Sequence, residues 1–153
     1  MNHETLYLDV VMSIQKYILE AIDEFNADGW IQLGFVDWDE HAELHELPSG
    51  DLLGIAGCGM TNDEGLYEVI FGMAASTQND AGLYRLRKMV SILYGRLRPG
   101  ENLTLYNSET AEPLTYIQIK SPQSLAPITR AETRPFQALE FIAAIDPRAP
   151  YYG

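Results

Sequence analysis

The sequence contains one cysteine among 153 residues, so no disulfide can form within the chain. Its N-terminal segment lacks the basic stretch followed by an uninterrupted apolar run that marks a secretion signal. Charged residues or glycine interrupt every apolar run before the roughly 18 residues that indicate a membrane span. These absences predict a protein that is made in cytosol and does not contact a membrane.

Basic residues are scarce in the first half of the chain. Residues 1–84 contain one base, Lys16, against sixteen acids, whereas residues 85–153 contain nine bases and six acids. The two parts therefore carry −15 and +3 of the overall −12. A solvated acidic surface would explain this division. So would a contact between copies, in which the acidic side of one subunit meets the basic side of the next and the chain of contacts closes into a ring.

The composition is that of an ordinary globular protein, with 46% hydrophobic and 21% charged residues. A chain of this length buries roughly 68 to 70% of the surface that its unfolded form exposes, which is enough for one complete core. The sequence shows no internal repeat. We therefore predict a single α+β domain over residues 1–146, followed by an extended C-terminal arm of residues 147–153 that contains Pro147 and Pro150.

Two segments have the apolar periodicity of an amphipathic helix. In residues 6–25 the apolar stripe begins at Leu8 and repeats every three or four positions, and the helix is expected to end near Gly29. In residues 81–97 leucine and valine repeat at the same spacing. The side-chain oxygens of residues 77–80 suit the start of this second helix, and the Pro99-Gly100 pair ends it.

Several segments alternate apolar and polar residues as strands do. They are residues 31–36, 66–75, 102–106, 114–120 and 136–145. We predict a mostly antiparallel β-sheet with two main α-helices packed on one side. Residues 37–51 are expected to form a surface loop or one helical turn, Gly57-Cys58-Gly59 a tight turn, and residues 121–135, which contain three prolines, an irregular connection.

No motif for catalysis or cofactor binding stands out. His41 and His45 lie four residues apart among acids, as metal ligands on one helical face would, but the HExxH order is absent. Cys58 has no CxxC partner and is expected to be a small buried residue. Neither a GxSxG nucleophile elbow nor a phosphate-binding glycine loop is present. We predict a chain that is not an enzyme, with no cofactor and no metal.

Two groups of residues are expected to contact other subunits. The second helix carries bases off its apolar stripe, and its position after an acidic half makes a nucleic-acid site a poor use for them. Apolar anchors in residues 121–135 and 146–153 are predicted to order against neighbouring chains and to be poorly ordered alone. The predicted contact residues are Arg85, Arg87, Lys88, Arg96, Leu125, Ile128, Tyr151 and Tyr152.

The order of these elements resembles that of the tail terminator proteins of tailed bacteriophages, the lambda-like tail-completion family. The matching order is an N-terminal helix, a long apolar-faced strand (66–76), a helix (81–97), a hairpin and a closing strand (136–145). The resemblance covers residues 5–146. It implies a hexameric ring in the virion neck that caps the tail tube protein, joins it to the head-tail connector protein and lets DNA pass through its lumen, after synthesis in the host cytoplasm.

Three other interpretations stay open. Residues 37–51 and 121–135 are longer than the minimal terminator fold requires, which is compatible with another neck component such as a head-completion or connector protein. An acidic DNA-mimic inhibitor would account for the −15 half. A small metalloenzyme would use His41 and His45. The mass of the oligomer and the presence of bound zinc distinguish these classes.

Overall fold

The computed structural model describes residues 2–29, 32–40, 47–131 and 134–153. Within them the chain forms two α-helices, seven β-strands and a short 3-10 turn, Trp38–Glu40. The helices are α1 (Leu6–Ala27) and α2 (Tyr84–Arg96). The strands are β1 (Leu33–Asp37), β2 (Asp51–Asp63), β3 (Leu66–Ser76), β4 (Asn102–Tyr106), β5 (Pro113–Leu125), β6 (Thr129–Ala131) and β7 (Arg134–Ile145).

The strands form one curled, mixed sheet that makes a half-barrel. Their order across the sheet is β1-β2-β3-β7-β5-β4, with β6 paired to the N-terminal end of β7. The predicted fold, a mostly antiparallel sheet covered by two helices on one side, was therefore wrong. Strand β1 runs parallel to β2 and makes the sheet mixed. Strands of 11 to 13 residues accumulate the right-handed twist that curls a sheet instead of leaving a flat layer.

Helix α1 spans the two ends of the curled sheet. It contacts β4 at one end and β1 and β2 at the other, whereas α2 packs on the central strands β3 and β7. The predicted helix over residues 6–25 is thus confirmed with two more residues at its end. Leu8, expected in the core stripe, points to solvent instead, and the core side of α1 is formed by Val10, Ile14 and Ile18.

Apolar side chains from both helices and the sheet form one core. At its centre the rings of Phe71 on β3 and Phe141 on β7 stack with their centroids 5.4 Å apart. These two residues are directly paired across the strands, so sheet register and core packing support each other. The alternation that predicted a strand over residues 66–75 is confirmed by β3.

Strand β2 is longer than the short apolar run at residues 52–56 indicates. It continues through Gly57, Cys58 and Gly59 to Asp63, so the expected tight turn at these residues was wrong. The pairing with β3 shifts between Ala56 and Cys58, where Gly57 has a φ of +73°. The glycines serve a β-bulge inside the strand, and the hairpin turn lies further on.

Helix α2 begins later than predicted, at Tyr84. Leu83 precedes it with a φ of +57° and provides no side-chain cap. The cap comes from Asp80, whose Oδ2 accepts the Leu86 N–H at 3.0 Å. A carboxylate from residues 77–80 therefore satisfies the helix start, as the sequence suggested, but from outside the helix.

Residues 121–135 are mostly strand, and the prediction of an irregular connection was wrong. Strand β5 runs on to Leu125, β6 follows, and β7 begins at Arg134. Pro122 falls where the pairing of β5 with β7 is interrupted between Lys120 and Ser124, so its missing N–H breaks no regular ladder bond. Residues 37–51 contain the expected helical turn at Trp38–Glu40, while residues 41–46 lie outside the described part of the chain.

Candidate assembly surfaces

Large apolar side chains remain exposed in several separate places on this domain. Because the core is already continuous, these side chains are surplus to the packing of one subunit. The exposed large apolar residues among those described are Tyr7, Leu8, Met12, Leu19, Leu66, Ile70, Tyr84, Tyr94, Leu125 and Tyr152.

The first surface is a narrow apolar line on the outer side of α1, here called the α1 ridge. It consists of Leu8, Met12 and Leu19, which are 53%, 46% and 45% exposed. With Gln15 between them, they follow the 4-3-4 spacing of a seam that packs against another helix or groove. This ridge was not predicted, because Leu8 was assigned to the core stripe; Met12 and Leu19, which lie outside that stripe, were the available signal.

The second surface is a groove of about 240 Å³ between α2 and the strands β5 and β7. Its lining, here called the α2 groove, is Arg87, Val90, Ser91, Tyr94, Leu125 and Gln137. Two residues predicted as subunit contacts from distant parts of the sequence, Arg87 and Leu125, therefore meet in one place. Both are exposed, Leu125 by 45%.

The other predicted basic contacts are engaged within the subunit. Arg85 forms an ion pair with Asp51 at 3.3 Å and donates to the Gln78 carbonyl at 2.6 Å, which ties α2 to the start of β2. Arg96 pairs with Glu24 of α1 and lies over the Phe25 ring.

Lys88 lies near an aromatic ring of its own helix. Its Nζ is 5.9 Å from the centroid of the Tyr84 ring, one helical turn earlier. Of the four bases predicted as contacts, Arg87 is the exposed one that lines a groove, and it is therefore the cleanest position at which to test a contact.

The third surface is a groove of about 540 Å³ where the C-terminal arm meets the sheet. Leu66, Tyr116 and Tyr152 line part of it. The arm is held in place by Thr115, whose hydroxyl donates to the Ala149 carbonyl at 2.7 Å. Tyr151 packs on Tyr116 with the ring centroids 5.3 Å apart.

The predicted apolar anchors differ in how much of their surface the subunit leaves exposed. Tyr152 is 84% exposed although its N–H donates to the Tyr116 hydroxyl. Ile128 is partly buried against the core and Tyr151 is half-buried on the arm. Tyr152 and Leu125 are thus the anchors that offer most of their surface to another chain.

The strand order separates the two oppositely charged parts of the chain. Strands β1, β2 and β3 come from the acidic residues 1–84 and are contiguous in the sheet, and β7, β5 and β4 follow them from the more basic part. The four bases predicted as contacts lie on α2, however, which packs on the central strands, and α1 carries acids as far as β4. The charge division along the sequence therefore does not run between the two edges of the sheet. Attraction between unlike charges of two copies would act between α1, with four acids and one base, and α2, with four bases and no acid.

Cys58 and Asp9 are both buried, Cys58 in part and Asp9 completely, and neither lies in a candidate active site. Burial raises the pKa of Cys58 from 9.0 to about 11, with a further contribution from the charge of Asp39, so the thiol is protonated at neutral pH. Asp9 is fully buried, which its polar character did not predict. It accepts the Ser108 N–H at 2.8 Å and the Thr5 hydroxyl at 3.2 Å, and so joins α1 to the turn after β4.

The described residues contain no group of three or more histidine, cysteine, aspartate or glutamate side chains placed to hold a metal ion. His41 and His45 lie outside those residues. Neither α1 nor α2, the two helices that the structure describes, is long and apolar enough to cross a membrane.

Comparison with known proteins adds little. No protein-family profile and no curated protein matches the sequence. One solved structure is similar with a TM-score of 0.46 and 12% sequence identity, over 90% of this chain and 97% of the other. A likeness at this level indicates neither a family nor an activity.

Proposed function

We propose that this chain is a structural virion protein, the tail terminator of a tailed bacteriophage, which forms a hexameric ring in the neck. The observation that carries the proposal is surplus apolar surface in separate places, the α1 ridge, the α2 groove and the groove under the arm, on a domain with a continuous core. Several such surfaces on one domain are typical of a chain that contacts several neighbours.

The separation of charge between the acidic helix α1 and the basic helix α2 supports a ring over a two-fold dimer. A two-fold contact centred on either helix would bring like charges together, because each residue near the axis meets its own copy. Head-to-tail contacts instead join unlike patches, and they close when the rotation between subunits divides a full turn. The acidic surface that remains would let DNA pass through the lumen without binding.

The order of elements along the chain supports the proposal that this virion protein is a tail terminator. The described chain runs through helix α1, the long strand β3, helix α2, the β4–β5 hairpin and the closing strand β7, the order on which the resemblance to the terminator family rests, and it adds β1, β2 and β6 to that order. On this proposal the protein caps the tail tube protein on one face of the ring and meets the head-tail connector protein on the other. It has no catalytic role, cofactor or metal.

Native mass spectrometry and electron microscopy of tail tubes mixed with the protein test the proposal. The expected result is six copies of the 17.2 kDa chain in a ring at one end of each tube, with tube growth stopped. The control is the same mixture with a variant in which Leu125 and Tyr152 are both replaced by serine, because these substitutions remove exposed anchors and leave the core unchanged.

Other outcomes would identify the alternative functions. A ring of another copy number that binds the head-tail connector but not tubes would indicate a different neck protein. A monomer or dimer that competes with DNA for a DNA-binding protein would indicate a DNA mimic. Either result contradicts the terminator proposal.

A further inference from the structure

The α1 ridge and the α2 groove have complementary shapes, because one is raised and the other is hollow. The ridge raises three unbranched or γ-branched side chains from a helix surface, and Leu8 and Leu19 are about 16 Å apart along the helix axis. The groove is a depression with Val90 at its base and with Tyr94 and Leu125 on its walls. The two surfaces belong to different elements, so one chain presents both at once.

The charges beside these two surfaces also differ in sign, apart from Lys16 beside the ridge, whose Nζ lies over the Tyr106 ring. Asp23, which is exposed, follows Leu19 by one helical turn, and exposed Glu20 directly follows Leu19 in the sequence. Arg87, also exposed, lines the α2 groove, with Lys88 next to it in α2. A contact that buries the ridge in the groove would therefore bring carboxylates of α1 to a guanidinium of α2.

We propose that the α1 ridge of one subunit packs in the α2 groove of a second copy of this chain, with Asp23 next to Arg87. The inference rests on the proposed ring and names the contact that builds it. Ridge-to-ridge pairing of two α1 helices is disfavoured because parallel pairing would bring Glu20 and Asp23 of both copies together, and antiparallel pairing would place Asp23 opposite Glu4. Ridge-to-groove packing joins unlike surfaces and continues from copy to copy, as a ring requires.

Charge exchange between the two surfaces tests the contact. Arg87→Asp and Asp23→Arg should each weaken self-association by at least about tenfold, since each variant places like charges together next to the apolar contact. The double variant should restore the dissociation constant to within about threefold of the wild type, because the pair is re-formed with its signs exchanged. Sedimentation equilibrium up to about 1 mM protein measures all four proteins.

Two further variants complete the design. Arg130→Asp is the matched control, since Arg130 is exposed and outside the groove lining, and it should leave the dissociation constant unchanged within about twofold. Met12→Ser removes the middle of the ridge without any charge and should also weaken association by about tenfold. Circular dichroism checks that each variant is folded.

The outcomes separate this contact from the proposed function. A double variant that associates no better than either single variant, or single variants that associate like the wild type, would overturn the contact, while hexameric rings on tail tubes would still support the terminator. A wild type that stays monomeric at about 1 mM would also overturn the contact. Rings that are absent from tubes under every condition would overturn the terminator itself.

Discussion

Arg134 is a buried cation at the start of β7 and only 7% exposed. It donates to the carbonyls of Gly50 at 2.8 Å and Pro48 at 3.3 Å, and to the Ser76 hydroxyl at 3.3 Å. Burial lowers its pKa, and the charge of Asp51 opposes that shift. Because an arginine stays protonated, these are charge-assisted bonds that fasten the segment before β2 to the sheet.

Replacing Arg134 with methionine should lower the free energy of unfolding by about 3 kcal/mol. The substitution keeps a long aliphatic stem but leaves two carbonyls and a hydroxyl without their donor. Arg130→Met is the matched control on neighbouring β6, where the side chain is exposed and the change should stay within about 0.5 kcal/mol. Urea unfolding compares the two, and equal losses would show that Arg134 does not hold that segment.

Cys58 makes stability depend on pH in the alkaline range. Its pKa is raised from 9.0 to about 11 in the folded protein, so above pH 9 the unfolded chain loses the thiol proton first and gains stability relative to the fold. The contribution of the thiol is thus complete below pH 9 and is lost as the pH rises towards 11.

The Cys58→Ala variant isolates this effect. The unfolding free energy of the wild type minus that of the variant should fall between pH 8 and pH 10.5, because only the wild type carries the titrating thiol. Other alkaline titrations occur in both proteins and cancel in the comparison. Urea unfolding at both pH values gives the difference directly, and a value that does not change with pH would contradict the assignment.

At the scale of the elements, Gly54 allows β1 to approach β2. A Cβ at this position would lie 1.5 Å from the carbonyl oxygen of Val36, which belongs to the backbone of β1 and cannot rotate away. The parallel pairing of β1 with β2 places Val36 opposite Gly54. Glycine is required here by space and not by a left-handed backbone.

Gly54→Ala should therefore destabilise the protein by about 3 kcal/mol or more, because the strand pair must separate to admit the methyl group. For a domain of this size the loss corresponds to a fall in melting temperature of about 6 to 12 °C. Gly59→Ala on the same strand is the control, since its added Cβ would meet nothing within 4 Å. Differential scanning calorimetry measures the melting temperature of both variants. Equal falls would show that the loss comes from the change in chain flexibility and not from the close approach of β1 to Gly54.

The sequence predicted the elements whose environment repeats regularly. Helix α1 and strand β3 have one apolar face each, and their periodicity identified both. The second half of β2 and the continuation of β5 were not predicted as strands. A glycine-rich bulge at Gly57 and an irregular pairing near Pro122 interrupt the alternation of apolar and polar residues there. The curl of the sheet depends on parallel pairing and accumulated twist, which no local pattern encodes.

The candidate surfaces were predictable only in part. Arg87 and Leu125 were identified separately, but their meeting in one groove depends on the packing of α2 beside β5 and β7. Arg85 and Arg96 were equally plausible contacts in the sequence, and the fold uses both within the subunit. A one-dimensional pattern reports which residues are charged, whereas tertiary structure decides which charges have a partner nearby.

For the whole molecule, the arrangement of charge determines how self-association should respond to salt. The overall charge of −12 makes copies repel one another at a distance, and added salt would relieve that repulsion. Attraction between the acidic and basic sides acts at close range and is weakened by the same salt. The sign of the salt effect therefore tells which of the two governs assembly.

We expect attraction between unlike sides to govern, so that raising potassium chloride from about 0.05 to 0.5 M shortens the screening length from about 14 to about 4 Å and weakens self-association by at least about tenfold. Sedimentation equilibrium across this range gives the dissociation constant at each salt concentration. In Arg87→Asp repulsion replaces the attraction at this contact, so added salt should no longer weaken its self-association and should lower its dissociation constant instead. Tighter association of the wild type at high salt would show that apolar burial and relief of repulsion drive assembly, and that the opposite charges of α1 and α2 serve solubility alone.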